Sequence, residues 1–201
     1  IMSRGFPIKY FVEGGRSRTG RLLSAKLGMV NMTLRSYLRD HKRPLVFLPA
    51  YIGYEKLMEG GTYIGELQGK PKQKENLLAL AMSVRKLQKV FGRVHLSFGT
   101  PIYLNDVLDA NMPGWRDNPD AAESPEFVIT SKAIGDAITT QINASAVVNP
   151  VNLLSLVLLS TPKHAIDEEQ LAEQLELNKA LLEAVPYHDR IVVTPMTGTE
   201  M

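Results

Sequence analysis

The chain has 201 residues, 44% hydrophobic and 22% charged, which suits a globular protein with one sizeable core or two small ones and excludes intrinsic disorder. It contains no cysteine, so disulfide frameworks, thiol nucleophiles and cysteine metal sites are excluded. The net charge of +2 conceals an asymmetry: residues 1–104 hold 18 Lys and Arg against 6 Asp and Glu, and residues 105–201 hold 5 against 15, so an anion-facing half precedes a solvated acidic one.

The opening, Ile1-Met2-Ser3-Arg4-Gly5-Phe6-Pro7, carries neither an initiator residue nor a signal segment and enters a strand-like run at once, the expectation for a cut inside a domain. Phe6 to Val12 mixes aromatic and β-branched residues and predicts a short strand that ends in the glycine-rich, basic loop Glu13 to Gly20. From Leu22 the period changes: Leu23, Leu27, Val30, Leu34 and Leu38 mark one helix face. Leu45-Val46-Phe47-Leu48 lacks alternation and is bounded by Pro44 and Pro49, which predicts a strand buried on both faces. Residues 51–69 read as loop or irregular strand. Leu77, Ala81, Val84, Leu87 and Phe91 make a second helix face, and Val94, Leu96 and Phe98 alternate with polar residues as a half-buried strand does. The most apolar stretches, 44–54 and 151–159, are each about half a bilayer span, so any membrane contact is expected to be peripheral or to lie outside this sequence.

Residues 106–125 contain Met112-Pro113-Gly114, Asn118-Pro119-Asp120 and Ser124-Pro125, the punctuation of an exposed loop or linker. Beyond it no strand pattern appears until the extreme end. Ile134, Ile138 and Ile142 predict one helix, Pro150 opens a second, and Asp167-Glu168-Glu169-Gln170 caps a third that carries Leu171, Leu175 and Leu182. The expected division is therefore an α/β part over 1–105 with a mixed sheet flanked by helices, a linker over 106–125, and a small, mainly helical C-terminal subdomain over 126–201.

Glu13 to Gly20 combines glycines that let a backbone approach a ligand with the guanidinium groups of Arg16 and Arg18 and the hydroxyls of Ser17 and Thr19. That chemistry suits a phosphate, because arginine presents a planar fork matched to phosphate oxygens and a helix opening on the loop adds its positive end. A solvated turn with surface arginines is the plain alternative. The Gly-Lys-Ser/Thr ending of a nucleotide-binding loop is absent. Lys70, Lys72 and Lys74 suit an acidic carrier protein, coenzyme A phosphates or anionic headgroups, and equally a solvated loop. His95 reads as a surface-facing strand residue and Trp115 as packing for its loop.

Phe11-Val12-Glu13-Gly14-Gly15-Arg16-Ser17 resembles the third conserved block of the glycerolipid acyltransferases, Phe-x-Glu-Gly-x-Arg-Ser, and Val46 to Tyr51 with Pro49 resembles the fourth. The stretches Tyr63 to Glu75 and Phe98-Gly99-Thr100-Pro101-Ile102 are similar to the glycerol-3-phosphate branch, with Thr100 standing where the family has Glu. Val148-Asn149-Pro150 and Val185-Pro186-Tyr187 extend the resemblance over nearly the whole chain. It implies an acyltransferase-like fold, incomplete at the N-terminus, with Glu13, Gly14, Arg16, Ser17, Arg18 and Pro49 at the substrate site. It also implies glycerol 3-phosphate as acceptor, acyl carrier protein or coenzyme A as the carrier of the acyl donor, and a peripheral place on the cytoplasmic face of a bacterial inner membrane. No cofactor, no metal and no nucleic acid is implied.

The family's general base lies in a His-x-x-x-x-Asp block. Five residues on, His41 reaches Val46, His95 reaches Thr100, His164 reaches Glu169 and His188 reaches Val193, so this chain has no such block and no catalytic residue of that kind. A competing expectation from another class is a non-enzymatic basic module that binds nucleic acid or anionic lipid.

Overall fold

The structure, a computed structural model, describes residues 4–15, 17, 21–55 and 92–201, and His164 by its backbone alone. The chain forms two compact units, one of residues 1–51, 97–146 and 187–191, the other of 52–96, 147–186 and 192–201. Among the described residues the fold is mixed α/β, with five α-helices and three two-stranded sheets. The expected helix face at 77–91 and the Tyr63 to Glu75 stretch lie outside the described residues.

In the first unit, α1 (Gly28–Arg39) buries Val30, Leu34 and Tyr37, the three- and four-residue steps of a single face. They meet Leu104 and Leu108 of α2 (Leu104–Asn111) and Phe127, Ile134 and Ile138 of α3 (Pro125–Ala144) in one core. Each large aliphatic side chain buried there stabilises the unit by about 1.5–3 kcal/mol. The helix expected from Leu22 starts six residues later. Residues 21–26 cannot join it, because the Leu23 and Lys26 amides are engaged by Glu13 and Val12.

The predicted loop or linker at 106–125 is corrected by the structure. Its first six residues belong to α2, and Leu108, Met112, Trp115 and Ala121 enter the core. Trp115 donates from Nε1 to Asp109 Oδ1 at 2.8 Å and stacks 5.7 Å from the Tyr37 ring, so the large aromatic anchors the segment to α1 and outweighs its turn residues. Ser124-Pro125 is a helix start: the Ser124 hydroxyl accepts from the Phe127 amide at 3.3 Å, and Pro125 occupies the first turn, where its missing N–H costs nothing.

Strand β1 (Val46–Phe47) pairs antiparallel with β4 (Ile102–Tyr103), Val46 opposite Tyr103 and Phe47 opposite Ile102. Only the Phe47 face is covered, so the expectation of burial on both faces is not met. The second sheet joins β2 (Ala50–Tyr54) to β3 (Val94–Phe98). The predicted alternation of β3 is present but inverted, with Val94, Leu96 and Phe98 exposed and His95 and Ser97 half-buried.

The second unit centres on α4 (Pro150–Ser160) and α5 (Glu168–Ala184), which close over Leu153, Val157 and Leu175 with Leu171 and Leu182 packed against them. Asn149 and Asn152 cap α4 reciprocally, each side chain accepting from the other's amide at 3.0 Å. Asp167 caps α5 through the Gln170 amide at 2.9 Å. A parallel pair, β5 (Val147–Val148) with β6 (Val192–Val193), completes the unit. The sequence signals a strand only at the extreme end, where β6 lies, and gives no sign of β5.

Candidate functional site

The basic loop is built on a tight turn. The Gly14 amide donates to the Phe11 carbonyl at 3.2 Å, and Gly14 adopts φ +62°, a conformation natural to glycine. A side chain at Gly14 would also press within 2.9 Å of Lys26 Cγ. Two bonds then close the loop at its base. The buried Val12 offers its carbonyl to the Lys26 amide at 2.7 Å, and Glu13 Oε2 accepts from the Leu23 amide at 2.8 Å. A carboxylate that accepts a backbone N–H makes a charge-assisted bond, roughly twice as strong as a neutral one. Glu13 and Val12 thus tie the start of the loop to the chain beyond it, at Leu23 and Lys26. Ser17 within it is half-buried, whereas Arg16 and Arg18 lie outside the described residues. Because α1 opens at Gly28, the dipole assistance expected from a helix starting directly on the loop is not supplied by 21–26.

Pro49, buried at the end of β1, accepts from the Gly99 amide at 2.9 Å. The next amide, of Thr100, donates to Gln141 Oε1 on α3, also at 2.9 Å. A side chain at Gly99 would meet Gln141 Cβ and its backbone oxygen at 2.9 Å, so glycine is required there by close approach. The structure therefore joins Pro49 to the Phe98 to Ile102 stretch and pins both to α3. Among the described residues no backbone hydrogen bond links Pro49 to Glu13 or Gly14. Sequence reasoning missed Gln141 and the Leu23 and Lys26 amides, since a partner 41 residues away and a backbone donor leave no local signal. Tyr187 donates to the Asn143 carbonyl at 3.2 Å, which gives the Tyr187 stretch a structural role at the end of α3.

None of the histidines whose side chains are described forms a base with an orienting carboxylate of the kind the family uses. His41 sits edge-on to Trp115 with ring centroids 5.0 Å apart. His95 Nε2 lies 3.6 Å from Glu55 Oε1, beyond hydrogen-bond range, and Glu55 is engaged by the Arg93 amide at 2.7 Å. His188 Nδ1 lies 2.7 Å from its neighbour Asp189 and accepts from the Arg190 amide. Among the described residues no cluster of ligands could hold a metal ion, and no helix is long and apolar enough to cross a membrane.

The sequence model of a family described as glycerol-3-phosphate acyltransferase C-terminal region matches residues 63–201. A glycerol-3-phosphate acyltransferase of Xanthomonas campestris pv. campestris is 52% identical over 200 residues, covering 98% of this chain and 23% of the relative. Proteins of the same description from Ectopseudomonas mendocina and Pseudomonas fluorescens are 49% and 48% identical over 189 residues, each covering 93% of this chain, and 23% and 22% of their own lengths. These matches define the chain as a segment of an acyltransferase. The chain belongs to the bacterial glycerol-3-phosphate acyltransferase family and matches its C-terminal region, spanning less than a quarter of the length of the curated relatives.

Proposed function

We propose that this chain supplies the phosphate-binding part of an enzyme that transfers a fatty acyl group from an acyl thioester, on acyl carrier protein or coenzyme A, to the sn-1 hydroxyl of glycerol 3-phosphate. The hydroxyl oxygen bonds to the thioester carbonyl carbon, the carbon–sulfur bond breaks, and the hydroxyl proton passes through a general base to the departing thiolate. This chain's share is to hold the acceptor. Arg16 makes two-point donation to the phosphate, Ser17 and Arg18 assist, Gly14 lets the backbone come close, and Glu13 keeps the loop closed. Pro49 shapes the neighbouring strand end. The base belongs to a His-x-x-x-x-Asp block that this sequence lacks. The fold of the first unit is then part of an acyltransferase-like α/β domain, placed peripherally at the cytoplasmic face of the bacterial inner membrane.

The observation that carries this reading is that Glu13 and Val12, at the start of a Glu-Gly-Gly-Arg-Ser stretch in a chain of this family, accept from the Leu23 and Lys26 amides beyond it. Family membership sets it above the non-enzymatic basic module. The test is steady-state kinetics of Arg16→Lys in the full-length enzyme, each substrate varied in turn. Lysine keeps the charge and loses the fork, so use of glycerol 3-phosphate falls about ten- to a hundredfold, from roughly 1.5–3 kcal/mol per charge-assisted bond, while the apparent affinity for acyl thioester holds. Arg18→Lys is the comparison: a change in either constant of less than about twofold marks Arg18 as a solvated arginine, and a larger loss on glycerol 3-phosphate marks it as part of the phosphate site. Unchanged glycerol 3-phosphate kinetics in a folded Arg16→Lys enzyme would remove Arg16 from the phosphate site.

A further inference from the structure

Pro49 sits where two strand pairs meet out of step. β1 pairs with β4 so that Phe47 faces Ile102, and the next bond along runs from the Gly99 amide to the Pro49 carbonyl at 2.9 Å. One residue, Leu48, separates Phe47 from Pro49, whereas two, Thr100 and Pro101, separate Gly99 from Ile102. Two residues set against one make a β-bulge, which bends a strand and re-aims the residues beside it.

A bulge leaves a surplus backbone group that the ladder cannot pair. Pro101 brings no N–H and the Gly99 amide is taken by Pro49, so the surplus donor is the Thr100 amide. It donates to Gln141 Oε1 at 2.9 Å. Gln141 stands in the last turn of α3, a helix fixed in the core by Ile134 and Ile138. Pro49 lacks an N–H and cannot return the Gly99 bond, so the place of its strand end depends on where the bulge is held. The close approach of Gly99 to Gln141 leaves the bulge little room to slide along α3.

We infer that Gln141 is a positioning residue of the acceptor site: by accepting the surplus amide of the bulge it fixes the Pro49 strand end, and with it the seat of glycerol 3-phosphate. Gln141 acts through Thr100 and Gly99 and not by contact. The inference deepens the proposed function and rests on Pro49 being part of the acceptor site. Thr100 is exposed, so its amide turns to water when the acceptor is lost, at little cost in stability. An error of position at a substrate site is felt far more strongly.

The test is steady-state kinetics of the full-length enzyme carrying Gln141→Ala, Gln141→Glu or Pro49→Ala, each substrate varied in turn, beside a thermal melt of each variant. Gln141→Ala is expected to raise the apparent KM for glycerol 3-phosphate about three- to tenfold, while the KM for acyl thioester and the melting temperature hold. Gln141→Glu keeps an acceptor oxygen and should recover most of the loss. An alanine variant with the parent's KM for glycerol 3-phosphate would overturn the inference. So would a loss shared by both substrates with a lowered melting temperature, the mark of a merely structural bond, or a glutamate variant no better than alanine. Pro49→Ala keeps the inference apart from the reading beneath it. A raised KM for glycerol 3-phosphate in Pro49→Ala alone sinks the Gln141 inference and leaves Pro49 in the site, a raised KM in Gln141→Ala alone sinks the route through Pro49, and no change in either variant sinks both.

Discussion

Glu13 and Leu23 are ten residues apart in the chain, yet the Glu13 carboxylate oxygen Oε2 lies 2.8 Å from the Leu23 amide nitrogen. This bond, with the Val12 carbonyl on the Lys26 amide, ties the start of the basic segment to the residues just before α1, which begins at Gly28. In the full-length enzyme, Glu13→Ala is expected to lower kcat/KM for glycerol 3-phosphate by roughly tenfold or more, through loss of a bond worth about 1.5–3 kcal/mol. Glu13→Gln keeps an oxygen acceptor and should recover much of that loss. Kinetics of both variants at saturating acyl thioester are the check, and an alanine variant that binds the acceptor normally would deny Glu13 its positioning role.

The isolated chain should show no acyl transfer, because loop geometry cannot replace the proton transfer that the absent His-x-x-x-x-Asp block performs. Thioester loss in the presence of glycerol 3-phosphate measures it. Turnover by the chain alone that survives His164→Ala would mean that another group acts as base.

Trp115 anchors the 106–117 segment to the core, and it is only 3% exposed. Trp115→Ala should cost about 3–5 kcal/mol in stability, the range for removing a buried aromatic, read from urea denaturation. In limited proteolysis the native segment should resist cutting despite its prolines and glycine, and Trp115→Ala should make it a primary site. Rapid cleavage between Leu104 and Trp115 in the unaltered protein would contradict the observed packing.

Hydrogen bonds from Arg116, and then from Trp115, hold the Asp109 carboxyl below the usual carboxylate range. A depressed folded pKa contributes stability that is fully present above the unfolded value near 3.8 and is lost as pH falls through the folded one. Asp109→Asn should therefore be less stable than the parent at neutral pH, and the difference should shrink as pH falls below about 4. Thermal melts across that range give the answer, and a difference independent of pH would exclude ionisation as its source.

Gly99→Ala forces a methyl group against Gln141 Cβ and its backbone oxygen. Since helix backbone yields little, a cost of about 1–3 kcal/mol is expected, typical of overpacking. The same shift should loosen the Gly99 bond to Pro49, visible as faster exchange of the Gly99-equivalent amide. An alanine variant as stable as the parent would show that the approach of α3 is relaxed in solution.

The helices were legible because burial period and caps are local. Val30, Leu34, Ile134, Ile138 and Leu175 fall where the three- and four-residue spacing puts them, and Asp167 starts α5 as its position before two glutamates implies. The 106–125 segment misleads because turn residues are counted locally, whereas the anchoring of Trp115 against Tyr37 is a long-range event. The orientation of β3 was likewise hidden, since alternation defines two faces without saying which one meets the core.

By itself the sequence determined the family, the helix faces and the identity of the loop residues Glu13, Gly14, Arg16 and Ser17, because each of these is written in residue type and short spacing. Only the tertiary structure decided that Glu13 clasps Leu23, that Gly99 bonds to Pro49 under Gln141, and that Trp115 packs against Tyr37. Those are relations between distant residues, set by which surfaces meet when the chain packs, and no local pattern encodes them.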